Sequence, residues 1–305
     1  AFLSNAQAQI DRSIQPQPRP APQINFGTPK EHQFKNGLTL MVVENHKLPQ
    51  VSASLRIDNP LSVEGEKAGV SGLLSSMMGK GSKNVPKDEF EEEVDFMGAR
   101  LSVNAEGAYA NSLKRYFPRV FEMMADATLH PDFLAEEFQK EVDKTLEGLK
   151  STEKDVKTAA RRVENLLSYG KDHPYGEYVS EESINKISID DLLQLYQKNF
   201  HAQNAYITIV GDIDFETAKK LTKKYFGKWS KGQVTPSSFP QPENVSQTQI
   251  AFVEMANAVQ SEVSVLSTAS IDRNNPDYYA LTIANQILGG GGEARLFLNL
   301  REDKG

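Results

Sequence analysis

Alternating apolar and polar residues near the beginning of the chain predict a β-hairpin followed by a further strand. The first alternating run, residues 32–44, contains Asn36-Gly37, a dipeptide typical of a tight turn between two strands. A second run predicts a strand from Val51 to Asp58. Three more strands are predicted from the same alternation, at residues 101–105, 108–114 and 205–210.

Apolar residues spaced three and four apart predict the helices that lie between these strands. The predicted helices are residues 69–78, 87–97, 118–129, 133–167, 190–199 and 215–226. In the long fourth helix, Val142, Leu146 and Leu149 share one face. Because strands and helices follow each other without strict β-α-β alternation, the pattern favours an α+β fold with an antiparallel sheet.

The pattern of the first part of the chain begins again after a linker. Residues 230–247 are rich in Gly, Pro and Ser and show little periodicity, which is typical of a linker. The strand-like pattern of residues 51–60 then recurs at 263–276, and each copy is followed by a helix that ends in a glycine cluster. We therefore predict two domains of the same kind, residues 25–229 and 248–305. Each is expected to be an antiparallel sheet packed against helices, with the second apparently truncated.

Residues 1–24 differ in composition from the rest of the chain. Ala6-Gln7-Ala8 matches the small-x-small signal at which a signal peptide is cleaved, although a plain unstructured terminus is the alternative. Residues 15–22 carry proline at alternate positions, which predicts an extended tether. We interpret residues 1–24 as a signal-peptide remnant and a Pro-rich tether, and we expect an exported protein, such as one of the bacterial periplasm.

Composition excludes several classes of function. The 305 residues are 39% hydrophobic with no long apolar run, so the given chain has no predicted transmembrane segment and suits about two globular domains. A net charge of −7 argues against a nucleic-acid partner. The chain has no cysteine, which excludes disulfides and thiolate metal sites.

One predicted helix has the framework of a metal site without its ligands. Gly72, Ser75 and Ser76 stand at positions i, i+3 and i+4 and so share one helical face. A zinc peptidase needs imidazole nitrogens to bind the ion and a carboxylate to activate its water. A glycine hydrogen and two hydroxyls supply neither.

The segment from Ala68 to Ser82 resembles the zinc-site segment of the pitrilysin/insulinase peptidases, in the branch that includes the mitochondrial processing peptidase. Active members carry the inverted motif His-x-x-Glu-His there. By this resemblance Gly72 and Ser76 occupy the histidine positions and Ser75 the glutamate position. The family's third ligand, a glutamate on a later helix, falls on Gly148, and Glu147 would point roughly 100° away around that helix. The resemblance therefore implies that the metal ligands and the general base are all lost.

Other landmarks of the family follow in family order along the chain. They are residues 36–45, 101–105, 173–176, 204–212 and 288–305. From the last of these, Arg301 matches the family arginine that holds the substrate backbone near the zinc of the partner domain. By resemblance, the substrate-binding candidates are Asn104, Gly289, Gly290, Gly291, Gly292, Arg295 and Arg301. From the residues alone, the glycine run is equally a flexible helix end, and the two arginines are ordinary surface cations.

The resemblance implies a non-catalytic, substrate-binding subunit of a heteromeric zinc peptidase that acts on peptides. Its partner would be a catalytic subunit that carries His-x-x-Glu-His and the zinc, and this chain would bind no cofactor. A structural subunit with no peptide-binding role, like the core subunits of a respiratory complex, is the alternative. An active peptidase with an unusual site is disfavoured, because the four positions that carry the family's chemistry are lost together. No two of the five histidines lie within helical reach of each other, so there is no local two-histidine metal site.

Overall fold

A mixed six-stranded sheet organises the first part of the chain. The computed structural model describes residues 28–233, 237–240, 242–256, 258–269 and 271–305, so the predictions for residues 1–24 lie outside the described residues. The strands are β1 (Lys30–Gln33), β2 (Thr39–Glu44), β3 (Gln50–Ile57), β4 (Arg100–Asn104), β5 (Gly107–Leu113) and β6 (Ala205–Gly211). Their order in the sheet is β1-β2-β6-β3-β5-β4, which leaves β1 and β4 at the edges.

The prediction of a purely antiparallel sheet is wrong at one pairing. Four neighbouring pairs are antiparallel, but β2 and β6 run parallel, with Leu40 opposite Ile207 and Val42 opposite Ile209. Turns fix the direction of strands that are neighbours in sequence, whereas β6 reaches β2 after a long helical excursion that permits either direction. The parallel register keeps these four apolar side chains on the buried face.

Helices of the first part of the chain pack on one face of the sheet, and two further helices follow in the last part. The first set is α1 (Val70–Met77), α2 (Lys87–Phe96), α3 (Phe117–Leu129), α4 (Ala135–Thr152), α5 (Val156–Tyr169), α6 (Glu181–Asn185), α7 (Ile189–Asn199) and α8 (Phe215–Phe226). The two later helices are α9 (Tyr278–Gly289) and α10 (Arg295–Phe297). A π-helical turn, Leu298–Asp303, continues α10. No helix of the described residues is both long and apolar enough to cross a bilayer.

The single long helix predicted at residues 133–167 is two helices, α4 and α5. The chain leaves the helix after Thr152, and Asp155 begins α5 by accepting a hydrogen bond from the backbone N–H of Thr158 at 2.7 Å. An aspartate side chain that satisfies a free N–H in this way starts a new helix. Helix-forming residues continue on both sides of the break, so the spacing of apolar residues does not reveal it.

The core lies between the sheet and the helices, and the other sheet face is open. Ala53 and Leu55 of β3 are buried, whereas the alternate residues Ser54 and Arg56 are exposed. On the helical side, the rings of Phe121 and Phe226 join α3 to α8 at 5.7 Å between centroids. Side chains of opposite polarity therefore alternate along the strands, which is why the strands were readable from sequence.

The last part of the chain contains helices but no strand among its described residues. The helix predicted to end in the glycine run is present as α9, which ends at Gly289. Residues 263–269 form no strand ladder: Ser267 and Thr268 hydrogen-bond to the side chain of Asn244 and not to the backbone of a neighbouring strand. Apolar side chains of this region are consequently exposed, as at Val265, which is 97% accessible.

Candidate functional site

The N-terminus of α1 is held by carboxylates from its own approach loop and from a distant loop. Glu64 accepts hydrogen bonds from the backbone N–H groups of Gly69 at 2.6 Å and Ser71 at 3.1 Å. Glu177 in turn accepts from the N–H groups of Glu64 at 2.9 Å and Gly65 at 2.6 Å. The bonds to Glu64 satisfy N–H groups at the start of α1 that have no partner within the helix. The bonds to Glu177 hold the loop that carries Glu64.

The face of α1 that would carry a metal points away from the core. Val70, Leu73, Leu74 and Met77 form the buried stripe of the helix. Gly72 and Ser76 lie on the opposite side and are exposed. A Cβ atom added at Gly72 would meet nothing within 4 Å, so the position faces open space.

Ser75, at the position of the family's general base, has a structural contact instead. Its hydroxyl oxygen accepts a hydrogen bond from the backbone N–H of Ala105 at 3.2 Å, just beyond the end of β4. This bond ties α1 to the edge of the sheet. A serine hydroxyl cannot take up a proton near neutral pH, so Ser75 offers no general base.

Gly148 lies in α4, which packs against α1. It is exposed, and a Cβ atom added there would also meet nothing within 4 Å. Its carbonyl accepts a hydrogen bond from the Ser151 hydroxyl at 2.8 Å. Among the described residues, no group of three or more His, Cys, Asp or Glu side chains is placed to hold a metal ion. The residues at these positions therefore do not fit a zinc ion, which requires nitrogen, sulfur or carboxylate ligands.

Beside these positions lies an ion cluster that sequence reasoning missed. The ammonium of Lys80, just after α1, lies 2.5 Å from the carboxylate of Glu141 and 3.7 Å from that of Glu137, both on α4. Glu141 is buried. Lys140 and Lys87 lower the pKa of Glu137 to about 2. The sequence does contain one signal for Glu141. It stands seven residues before Gly148, which is about two helical turns, so both residues lie on the same face of the helix.

The loop after α5 is an aromatic cluster centred on a buried histidine. The ring of His173 stacks on that of Tyr169 at 5.0 Å between centroids and lies 5.3 Å from that of Phe239. Its Nδ1 accepts a hydrogen bond from the backbone N–H of Tyr175 at 3.1 Å. Through the neighbouring Glu177, this loop positions the beginning of α1. The histidine is thus a packed loop residue, as expected for His at a turn.

Asn104 lies at the end of the edge strand β4. Its side-chain oxygen accepts hydrogen bonds from the N–H groups of Glu106 at 2.9 Å and Gly107 at 3.1 Å. The side chain therefore shapes the β4–β5 turn, as asparagine commonly does. A role for Asn104 in substrate binding stays a prediction.

The remaining substrate-binding candidates lie at and after the end of α9. Gly289 is the last residue of the helix, and Gly290 accepts a hydrogen bond from the side-chain amide of Gln286. Arg295 and Arg301 are exposed. Within the described residues, no hydrogen bond or ion pair joins the segment from Gly289 to Arg301 to α1 or α4. The structure thus does not bring the two sets of predicted residues together.

Two family models match the chain, one after the other. The model described as "Insulinase (Peptidase family M16)" matches residues 40–177, which include α1 and α4. The model described as "Peptidase M16 inactive domain" matches residues 186–305. The two models belong to one family and match consecutive parts of the chain, and the division between them at residues 178–185 falls inside the predicted first domain.

Curated relatives agree with this assignment. The uncharacterized zinc protease YmxG of Bacillus subtilis is 24% identical over 90% of this chain and 68% of its own length. The probable inactive metalloprotease YmfF of the same organism is 23% identical, over 87% and 67%. Subunit 1 of the bovine mitochondrial cytochrome b-c1 complex is 24% identical, over 84% and 54%. The chain thus spans about two thirds of the first two relatives and about half of the third.

A solved structure shows the same fold. The crystal structure of a peptidase M16 inactive domain from Pseudomonas fluorescens superposes with a TM-score of 0.71 at 23% identity, covering 91% of this chain and 68% of that one. With consecutive matches to two models of one family and this shared fold, the chain belongs to peptidase family M16, and it lacks the His-x-x-Glu-His residues of the zinc site.

Proposed function

We propose that this chain is a non-catalytic, substrate-binding subunit of a heteromeric zinc metallopeptidase that acts on peptides or unfolded polypeptides. The observation that carries the proposal is the replacement of all four site positions by Gly and Ser on helices that keep their place in the fold. In the proposal, the zinc and the catalytic water belong to a partner subunit that carries His-x-x-Glu-His. This chain binds no cofactor of its own.

The open sheet face and the edge strand β4 support a peptide-binding role. Tyr109 and Tyr206 are 42% and 40% exposed on the open face, beside the exposed Ser54 and Arg56. Aromatic and hydroxyl side chains of this kind bind extended polypeptides without requiring one sequence. At the edge, β4 is hydrogen-bonded to β5 on one side only, so a peptide strand can add to its other side.

Arg301 supports a role opposite the partner's zinc. It is exposed and forms no ion pair with a carboxylate of the described residues. A free guanidinium can donate two parallel hydrogen bonds to a peptide carbonyl or carboxylate. In the proposal, it holds the peptide in line with the zinc of the partner subunit. We place this complex in an exported compartment such as the periplasm, on the strength of the Ala6-Gln7-Ala8 signal and the absence of cysteine.

A scaffolding subunit without a peptide-binding role is the second candidate. The likeness to subunit 1 of the cytochrome b-c1 complex favours it, since the name of that relative assigns it to a respiratory complex and not to a peptidase. The two candidates differ in whether Arg301 contributes to turnover.

The decisive experiment is kinetic and uses the assembled complex. The full-length protein is purified with its partner from the native host, and its proteolytic activity is compared between wild type, Arg301→Ala and Arg273→Ala. Arg273 is an exposed arginine in the same domain and serves as the matched control. We expect Arg301→Ala to lower kcat/KM on a peptide substrate by about a hundredfold, because misorientation of a reacting bond has effects of that order. Size-exclusion chromatography checks that each complex remains assembled.

Three outcomes would each contradict a part of the proposal. Wild-type kinetics of the Arg301→Ala complex would favour the scaffolding candidate. Purification without any subunit that carries His-x-x-Glu-His would exclude a heteromeric peptidase altogether. Recovery of the protein in the cytoplasmic fraction of the host would overturn the proposed location.

A further inference from the structure

The outer side of α8 and the turn after it carry a dense group of lysines. This group, called here the basic face, consists of Lys219, Lys220, Lys223, Lys224, Lys228 and Lys231. Between residues 215 and 232 the only acidic residue is Glu216. In a chain whose net charge is −7, positive charge is thus concentrated on one short element.

Among the described lysines outside the basic face, eight form ion pairs and the others, such as Lys154, Lys157 and Lys171, do not. Lys30, Lys67, Lys80, Lys87, Lys114, Lys140, Lys144 and Lys186 each lie within 4.0 Å of a carboxylate. In the described part of the chain, none of the six lysines of the basic face does so. Lys224 donates to the hydroxyl of Tyr225 at 2.8 Å, and the ammonium of Lys219 lies 5.9 Å from the ring centre of Phe215. The six ammonium groups of this face therefore have no carboxylate of the described residues within ion-pair distance.

The fold fixes the basic face as an outward surface. Ala218, Thr222 and Phe226 of α8 are fully buried, so the apolar side of the helix is committed to the core. All lysines of the face except the half-buried Lys219 are exposed. The surface continues onto the edge strand β1, where burial and the nearby Lys219 lower the pKa of His32.

We propose that the basic face docks onto an anionic phospholipid bilayer. Its cations are all lysine, and a compact ammonium on a flexible stem suits diffuse attraction to many phosphates, whereas specific recognition of one carboxylate or phosphate favours the forked arginine. Because the apolar side of α8 is already buried, docking is electrostatic and inserts no helix into the lipid. This inference is independent of any peptidase partner and of the role of Arg301.

The test is cosedimentation of the full-length protein with vesicles. One set contains equal amounts of phosphatidylglycerol and phosphatidylcholine, and the other contains phosphatidylcholine alone. The variant Lys220→Glu/Lys223→Glu/Lys228→Glu is compared with the matched control Lys154→Glu/Lys157→Glu/Lys171→Glu. The control alters three exposed lysines elsewhere and changes the net charge equally. Each lysine near an anionic surface changes affinity by about fivefold, so we expect the first variant to lose at least tenfold and the control little.

We also expect binding to the phosphatidylglycerol vesicles to weaken as salt is added, because salt screens electrostatic attraction. Circular dichroism confirms folding, and the milder set Lys220→Gln/Lys223→Gln/Lys228→Gln replaces the glutamate variant if that variant unfolds. Equal binding to both kinds of vesicle, or equal loss in the two lysine variants, would overturn the proposal. So would binding to soluble poly-glutamate without binding to vesicles, which would assign the face to an acidic protein.

Discussion

Gly72 and Gly148 lie inside helices, at positions where a side chain would have room. Neither has a positive φ, and a Cβ atom added at either would meet nothing within 4 Å. Alanine at such a position restricts the unfolded chain and favours the helix. We therefore expect Gly72→Ala and Gly148→Ala each to raise the free energy of unfolding by about 0.5–1 kcal/mol, measured by urea denaturation.

Gly69, immediately before α1, provides the contrasting control. Its φ is +106°, and an added Cβ atom would lie 2.8 Å from a methyl group of Ile184. Gly69→Ala should therefore lower the free energy of unfolding. A loss of stability in the Gly72 or Gly148 variant would show that these positions are more confined than the structure indicates.

Glu141 is the buried carboxylate of the ion cluster beside the site. Its partner Lys80 is itself only a quarter exposed, so removal of the carboxylate leaves a largely buried ammonium with only the more distant carboxylate of Glu137, at 3.7 Å. We expect Glu141→Ala to lower the free energy of unfolding by about 1–3 kcal/mol, below the range for fully buried pairs because Lys80 still reaches water. Denaturant unfolding measures the change, and the exposed Glu147→Ala on the same helix should change it by less than about 0.5 kcal/mol.

Among the helices, Glu137 connects α4 to Lys87 at the start of α2 and makes this junction sensitive to acid. Lys140 and Lys87 hold its pKa at about 2, below the ordinary value of 4.5. A depressed carboxylate pKa contributes stability that is fully present above the ordinary value. This contribution is lost as pH falls from 4.5 towards 2.

We therefore expect Glu137→Gln to be less stable than wild type at neutral pH, with the difference in melting temperature shrinking as the pH falls through this window. Melting curves recorded across the window test it. The exposed Glu91→Gln of α2 should follow the wild-type curve. A constant difference between Glu137→Gln and wild type at all pH values would exclude the pairing as the cause.

Strands β2, β3, β5 and β6 were predictable from sequence because each has one face turned to the core and one turned away from it. Helix ends were harder where a side chain decides them, as at Asp155, since local capping is invisible to an apolar periodicity. The empty metal positions could be read directly from Gly72, Ser75 and Ser76. The ion pair of Lys80 with Glu141 could not be predicted from the sequence, because these residues are sixty-one positions apart.

For the molecule as a whole, putting the four zinc-site residues back tests whether the rest of the fold can still support peptide cleavage. In the variant Gly72→His/Ser75→Glu/Ser76→His/Gly148→Glu, the exposed positions can accept the new side chains. The change at Ser75 removes its bond to Ala105. We expect measurable zinc binding but little peptide cleavage, because the contacts that orient the ligands and tune the bound water are not restored.

Elemental analysis after dialysis against zinc and a fluorogenic peptide assay measure these two properties, with the wild-type chain as the control. Stoichiometric zinc in the wild-type chain would contradict the assignment of these positions as vacated. Efficient cleavage by the variant would show that the surrounding structure had remained competent for catalysis.

The parallel pairing of β2 with β6 also determines when the first domain can fold during synthesis. β6 lies between β2 and β3, yet it is the last strand of the sheet to leave the ribosome. Until about residue 211 has emerged, β1–β2 and β3–β5–β4 are separate pieces, each with an unpaired inner edge. Such edges pair readily with other chains. A nascent chain arrested before β6 should therefore aggregate or occupy a chaperone, and insertion of this one strand closes both edges at once.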